Sequence, residues 1–141
     1  MAAPPRSAAL SPQSVNRKSV LIVDDDVDIR EILAETLEEK GFDVSTAANG
    51  LDALRILRDE RVRPSVILLD LMMPIMDGYG FLEQRRRDPA LASIPLAIVT
   101  AGHGVDRTRL GEGLQIIPKP FDLPRLVGVL HTLGSEDGQP E

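Results

Sequence analysis

The sequence contains no cysteine. That excludes disulfides, thiol catalysis and every zinc or iron–sulfur site built on cysteine. No apolar run approaches the roughly 18 residues of a membrane span. The net charge of -6 comes with no basic stripe, so neither nucleic acid nor an anionic membrane is an expected direct partner. Arg85-Arg86-Arg87 is too short for a phosphate clamp and reads as a solvated helix end. Neither of the two histidines, His103 and His131, has a carboxylate nearby in sequence to orient it. Both read as solvated rather than catalytic.

What the chain does have is an apolar core. Of its 141 residues, 43% are hydrophobic, enough for one well-packed domain. Residues 1–17, rich in Ala, Pro and Ser, lack the unbroken apolar stretch of a signal peptide and read as a disordered leader. The domain is expected at 18–133 and an acidic tail at 134–141, with no room for an output domain. The expected setting is the cytoplasm.

Between these ends, strand and helix patterns alternate. Asp28 to Lys40 is helical, with Ile29, Ile32, Leu33, Thr36 and Leu37 on one face and Gly41 as its stop. Asp28 and Glu31 have capping-box spacing. Asp43 to Ala48 has little bulk and suits a sheet edge. Asn49-Gly50 opens a second helix with Leu51, Leu54 and Leu57 inward. Val66 to Leu69 is apolar without alternation, as in a strand covered on both faces. A third helix runs from about Asp77-Gly78 to Arg87, and a strand follows Ile94-Pro95. After Phe121-Asp122 a last helix turns Leu123, Leu126, Val127 and Leu130 inward, with Pro124 tolerated in its first turn. Repeated β-α units imply a doubly wound α/β fold with a parallel sheet.

Chemistry-bearing residues stand where the apolar runs end. Ser19–Val23 leads into Asp24-Asp25-Asp26, Val66–Leu69 into Asp70, Leu96–Val99 into Thr100, and Leu114–Pro118 into Lys119. Parallel strands bring their carboxyl ends to one crevice. Asp24, Asp25 and Asp70 gathered there repel one another unless a hard cation joins them. Magnesium takes carboxylate, water and phosphate oxygens and suits such a set. It leaves one carboxylate to attack phosphorus, with Lys119 and the Thr100 hydroxyl on the phosphoryl oxygens. A competing pattern places Asp24, Asp26, Asp28 and Glu35 at calcium-loop positions. It fails because Ile29 stands where glycine must turn and the helical stripe runs straight through.

The chain resembles the receiver domain of two-component response regulators over roughly Lys18 to Leu133. The resemblance rests on VDDD (Val23–Asp26), LLDLMMPIMDG (Leu68–Gly78), IVTA (Ile98–Ala101) and PKPF (Pro118–Phe121), in order and each at a strand end. It implies a flavodoxin-like five-stranded sheet of order 2-1-3-4-5. It further implies Asp70 as phosphoacceptor, and Mg2+ held by Asp25, Asp70 and the Met72 backbone carbonyl, with Asp24 acting through water. Thr100 and Lys119 would read the phosphoryl group, and the Lys119–Pro120 bond would be cis. The implied partners are a sensor histidine kinase or a histidine phosphotransfer protein, and a downstream protein. No enzymatic turnover is implied beyond the domain's own phosphorylation and dephosphorylation.

Two places depart from that family. Ile116 stands where the family carries the aromatic that rotates on activation; it is stiff at χ1 and has no ring. Between Thr100 and Lys119, glycines at 102, 104, 111 and 113 each cost about 1 kcal/mol inside a helix. The fourth helix is therefore expected to be short, displaced or partly unwound, and the output face atypical. Gly80 and Arg85 weaken the third helix, and the Arg85 stem would have to snorkel. Two functions remain in competition: a single-domain phosphoacceptor, and an adaptor whose switch has decayed. A dehalogenase-type phosphatase is set aside because Asp28 occupies the fifth place of D-x-D-x-[TV] and no cap domain fits. A flavodoxin is set aside because three aspartates would repel its phosphate.

Overall fold

The computed structural model describes residues 18–101, 104–111 and 113–135. The expected leader, the end of the tail, Gly102 and His103 lie outside the described residues. Five parallel strands, β1 (Ser19–Val23), β2 (Asp43–Ala47), β3 (Val66–Asp70), β4 (Leu96–Thr100) and β5 (Gln115–Pro118), form one sheet of order β2-β1-β3-β4-β5. This is the expected flavodoxin-like order, with the low-bulk β2 at an edge.

The central strands read as unbroken apolar runs because helices cover both sheet faces. Leu21, Val23, Ile67, Leu69, Leu96 and Ile98 point to one face, where α2 (Gly50–Arg58) and α3 (Gly78–Arg87) pack. Val20, Ile22, Val66, Leu68, Ala97 and Val99 point to the other, against α1 (Val27–Glu39) and α6 (Leu123–Ser135). Each fully buried Val, Leu or Ile contributes about 1.5–3 kcal/mol. Among the described residues no helix is long and apolar enough to cross a membrane.

Several local expectations are corrected. Asp26, not Asp28, caps α1: its carboxylate accepts the Asp28 and Ile29 N–H groups at 3.0 and 3.2 Å. Asp28 instead lies in the first turn, where its charge suits the helix dipole. Ile32 is 55% exposed, and Ala34 takes the inward place beside Leu33 and Leu37. Gly134 and Ser135 belong to α6 rather than to the tail. The third helix ends at Arg87 as expected, but Asp88 then caps an unexpected four-residue α4 (Pro89–Ala92) through the Ala90 N–H. Arg85 does not snorkel into solvent; its guanidinium turns in and donates to the Ile94 carbonyl at 2.6 Å. The fourth helix expected between β4 and β5 is indeed short. It is α5 (Arg107–Leu110), capped by Asp106 and ended by Gly111 at a positive φ of 86°. His131 is exposed and sets its ring 4.9 Å from that of Phe42.

Candidate functional site

The carboxyl ends of β1, β3, β4 and β5 place Asp24, Asp70, Thr100 and Lys119 at one rim of the sheet. Strand register accounts for the convergence: Val23 pairs with Leu69, Asp70 with Val99, and Thr100 with Pro118. Asp70 and Thr100 are the last residues of β3 and β4, and Asp24 and Lys119 are the first beyond β1 and β5, so the register sets all four along one rim. Oxygens of Asp24, Asp25 and Asp70 lie within 4.8 Å of one another. Asp24, Asp70 and Thr100 are buried, whereas Asp25 is exposed.

The loops holding these residues are tied from several sides. The Asp24 N–H donates to the Ala47 carbonyl at 3.1 Å, and its Oδ1 accepts the Asp26 N–H at 2.9 Å. Lys119 Nζ bridges Asp24 Oδ2 at 3.2 Å and Asp70 Oδ2 at 3.4 Å. The Lys119 N–H donates to the Thr100 carbonyl at 2.7 Å, and the Lys119–Pro120 bond is cis. The Met72 N–H donates to Asp70 Oδ1 at 3.2 Å while the Met72 side chain is 67% exposed. Met72 therefore borders the site with its main chain alone.

The Asp77-Gly78 pair has a steric reason. The Gly78 N–H donates to the Leu71 carbonyl at 2.8 Å. A Cβ at Gly78 would lie 2.7 Å from the Asp70 carbonyl oxygen and from Leu71 Cα. Only glycine lets α3 start against the strand end that carries Asp70. Asp77 then caps α3 through the Gly80 N–H at 2.9 Å.

Burial pushes the Asp70 carboxyl above the ordinary carboxylate range, and the neighbouring Asp24 charge adds to the rise. Lys119 and the Met72 N–H pull it back without cancelling it. For Lys119, burial works to lower the pKa, but the attraction and hydrogen bonds of Asp24 and Asp70 outweigh it and leave the ammonium more strongly protonated. The site is thus a negatively biased crevice with one cation balancing part of the charge. Its oxygen donors, two buried and one exposed, fit a hard divalent cation open to solvent on one side.

One residue near the site has no precedent in the sequence reading. Arg30, on the first turns of α1, returns its Nη1 to the Asp24 carbonyl at 2.7 Å. This ties the loop between Asp24 and α1 back onto the helix. The only sequence signal was a basic residue about one helical turn beyond the acidic triplet, a pattern common on solvated helix faces.

Comparisons with known proteins agree with this geometry. The family model described as the response regulator receiver domain matches residues 20–131. A probable transcriptional regulator ycf27 of Cyanophora paradoxa is 37% identical over 125 residues, covering 84% of this chain and 49% of the relative. A transcriptional regulatory protein CpxR homolog of Haemophilus influenzae is 36% identical, covering 86% of this chain and 52% of the relative. The chain therefore spans about half the length of these curated relatives.

Among solved structures, the signal receiver domain of a histidine kinase from Syntrophus aciditrophicus superposes with TM-score 0.76 at 31% identity, covering 88% of this chain and 95% of that one. The response regulator TrrA of Thermotoga maritima, in complex with Mg(2+)-BeF, gives TM-score 0.72 at 27% identity, covering 82% and 98%. The sequence, the sheet order and the strand-end crevice lead to one conclusion: this chain belongs to the response regulator receiver domain family.

Proposed function

We propose that this receiver domain takes a phosphoryl group onto Asp70 and signals through protein–protein contact or by passing the group to a histidine. The observation that carries the reading is the crevice where Lys119 bridges Asp24 and Asp70 while Asp25 stays open to solvent. The donor would be the phosphohistidine of a sensor histidine kinase or of a phosphotransfer protein. An Asp70 oxygen attacks phosphorus, the P–N bond breaks, and the imidazole leaves with its electron pair and takes up a proton. An aspartyl phosphate remains. The Thr100 hydroxyl and the Lys119 ammonium each bind a phosphoryl oxygen as charge develops.

Asp24, Asp25, Asp70 and the Met72 backbone carbonyl would hold Mg2+. When bound, that ion neutralises phosphoryl charge that three carboxylates would otherwise repel. The domain acts on itself and turns over no separate substrate. Incubation with acetyl phosphate and magnesium should add the mass of one phosphoryl group, and Asp70→Asn should abolish the addition. An unmodified wild-type chain would refute the assignment.

Ile116 and the four-residue α5 favour one second reading, an adaptor of receiver fold whose switch has decayed. Equal partner affinity with and without beryllofluoride would support it over the first.

A further inference from the structure

The short α5 is fastened to α3 by contacts that the motifs of the phosphorylation site do not include. Asp106 is the junction. Its N–H donates to the hydroxyl of Tyr79 on α3 at 2.8 Å. Its carboxylate caps α5 through the Thr108 N–H at 3.1 Å and the Thr108 hydroxyl at 2.6 Å. One turn on, the Arg109 guanidinium lies 4.5 Å from the Tyr79 ring centroid and pairs with Glu83 of α3 at 3.1 Å. Arg86 of α3 donates to the Arg109 carbonyl and, at 3.1 Å, to that of Leu110.

The Tyr79 ring is buried, and a phenylalanine would fill that space equally well. Among the described residues, what the hydroxyl adds is one bond, to the main chain of a segment whose Asp106, Arg107, Thr108 and Arg109 are all exposed. That segment follows Thr100. Thr100 is itself held from the other side, its carbonyl accepting the Lys119 N–H. If the Thr100 hydroxyl is to close on a phosphoryl oxygen, the chain beyond it must yield, and among the described residues that chain packs Val105 on the core and is then hydrogen-bonded to α3 through Asp106 on Tyr79. On β5, Ile116 offers no ring to take up such a movement.

We propose that Tyr79 is a positioning residue for the Asp70 site. Its hydroxyl holds the chain after Thr100 against α3 while Asp70 is unmodified, and occupancy of the site releases that hold. The α3–α5 face, with Glu83, Arg86 and Arg109, then becomes the surface that reports the phosphoryl group. This rests on the phosphoacceptor reading above and adds the route by which the site is read.

The test uses the protein's own composition. Tyr79 is the single tyrosine, and there is no tryptophan, so tyrosine emission and ring resonances report on this contact alone. Beryllofluoride with magnesium is the probe, its binding followed independently by fluorine resonances of the bound species. The expected result is a change in the tyrosine signal that saturates together with the bound fluoride. Tyr79→Phe, which keeps the ring and loses only the bond, should bind beryllofluoride about fivefold more tightly, as expected when one hydrogen bond no longer opposes the change. A tyrosine signal unchanged at saturation overturns the proposal and leaves Tyr79 a packing residue. Equal affinities in wild type and Tyr79→Phe overturn it too. Absence of any bound fluoride signal overturns the phosphoacceptor reading, and this proposal with it.

Discussion

Asp70→Asn should make the metal-free domain more stable at neutral pH, even though it removes the proposed phosphoacceptor. Asp24 and Asp70 have oxygens within 4.8 Å, a repulsion of roughly 3–4 kcal/mol at an effective dielectric of about 20. Lys119 at 3.4 Å offsets roughly 5 kcal/mol on the same scale, but it is shared with Asp24 at 3.2 Å. The pair terms nearly cancel, so the burial of Asp70 decides the sign, and burial raises its pKa. Removing a buried charge that the bonds from the Met72 N–H and Lys119 do not fully compensate should gain about 1–3 kcal/mol. For a domain of this size that is roughly 4–12 °C in Tm.

The pH dependence follows from the same direction. Because the folded pKa of Asp70 lies above its ordinary 3.8, Asp70 contributes stability at low pH, where it is protonated. It loses that contribution as pH rises through the folded value. The advantage of the Asn variant should therefore be full at neutral pH and gone below the ordinary carboxylate range. Melting in EDTA across pH measures it, and repetition in saturating magnesium should narrow the gap. At a hundred times Kd a ligand stabilises the form that binds it by about 2.7 kcal/mol, and the variant offers one carboxylate fewer. An Asn variant that melts below wild type in EDTA at neutral pH, or a gap that ignores pH, would refute this balance of charges.

Three further outcomes follow from the geometry. Lys119→Met removes the cation shared by Asp24 and Asp70, so calorimetry should find magnesium bound severalfold more tightly while the metal-free Tm falls; weaker magnesium binding would contradict the charge assignment. Gly78→Ala places a Cβ 2.7 Å from the Asp70 carbonyl oxygen and Leu71 Cα. It should cost about 2–3 kcal/mol in denaturant unfolding and slow labelling by acetyl phosphate; an unchanged midpoint would show that the close approach is absent. Ile75 sits at a φ of 72° with the Met76 N–H closing on the Pro74 carbonyl at 2.8 Å. Ile75→Gly should therefore raise stability by about 1 kcal/mol, and a lowered Tm would count against strain at that turn.

Much of the molecule was legible before its structure was known. The unbroken runs at Val66–Leu69 and Leu96–Val99 announced strands covered on both faces, and their terminal Asp70 and Thr100 announced the crevice. Periodicity and strand ends are local properties, and a parallel sheet turns them into position by register alone. Helix details fared less well where two local signals competed. Asp28 has capping-box spacing with Glu31, yet Asp26 takes the cap because its carboxylate reaches two N–H groups at once.

The sequence by itself determined the parallel sheet and the residues that end its strands, because these apolar runs need cover on two faces, and the resemblance carried by its four motifs supplied the strand order. Only the tertiary structure decided how charge and contact are shared among distant residues. Lys119 divides itself between Asp24 and Asp70, Arg30 turns back to the Asp24 carbonyl, Arg85 folds inward to Ile94, and α5 hangs from Tyr79 and Arg86. Long polar side chains have many rotamers and no period. Which oxygen each one reaches depends on what the folded backbone brings within hydrogen-bond distance.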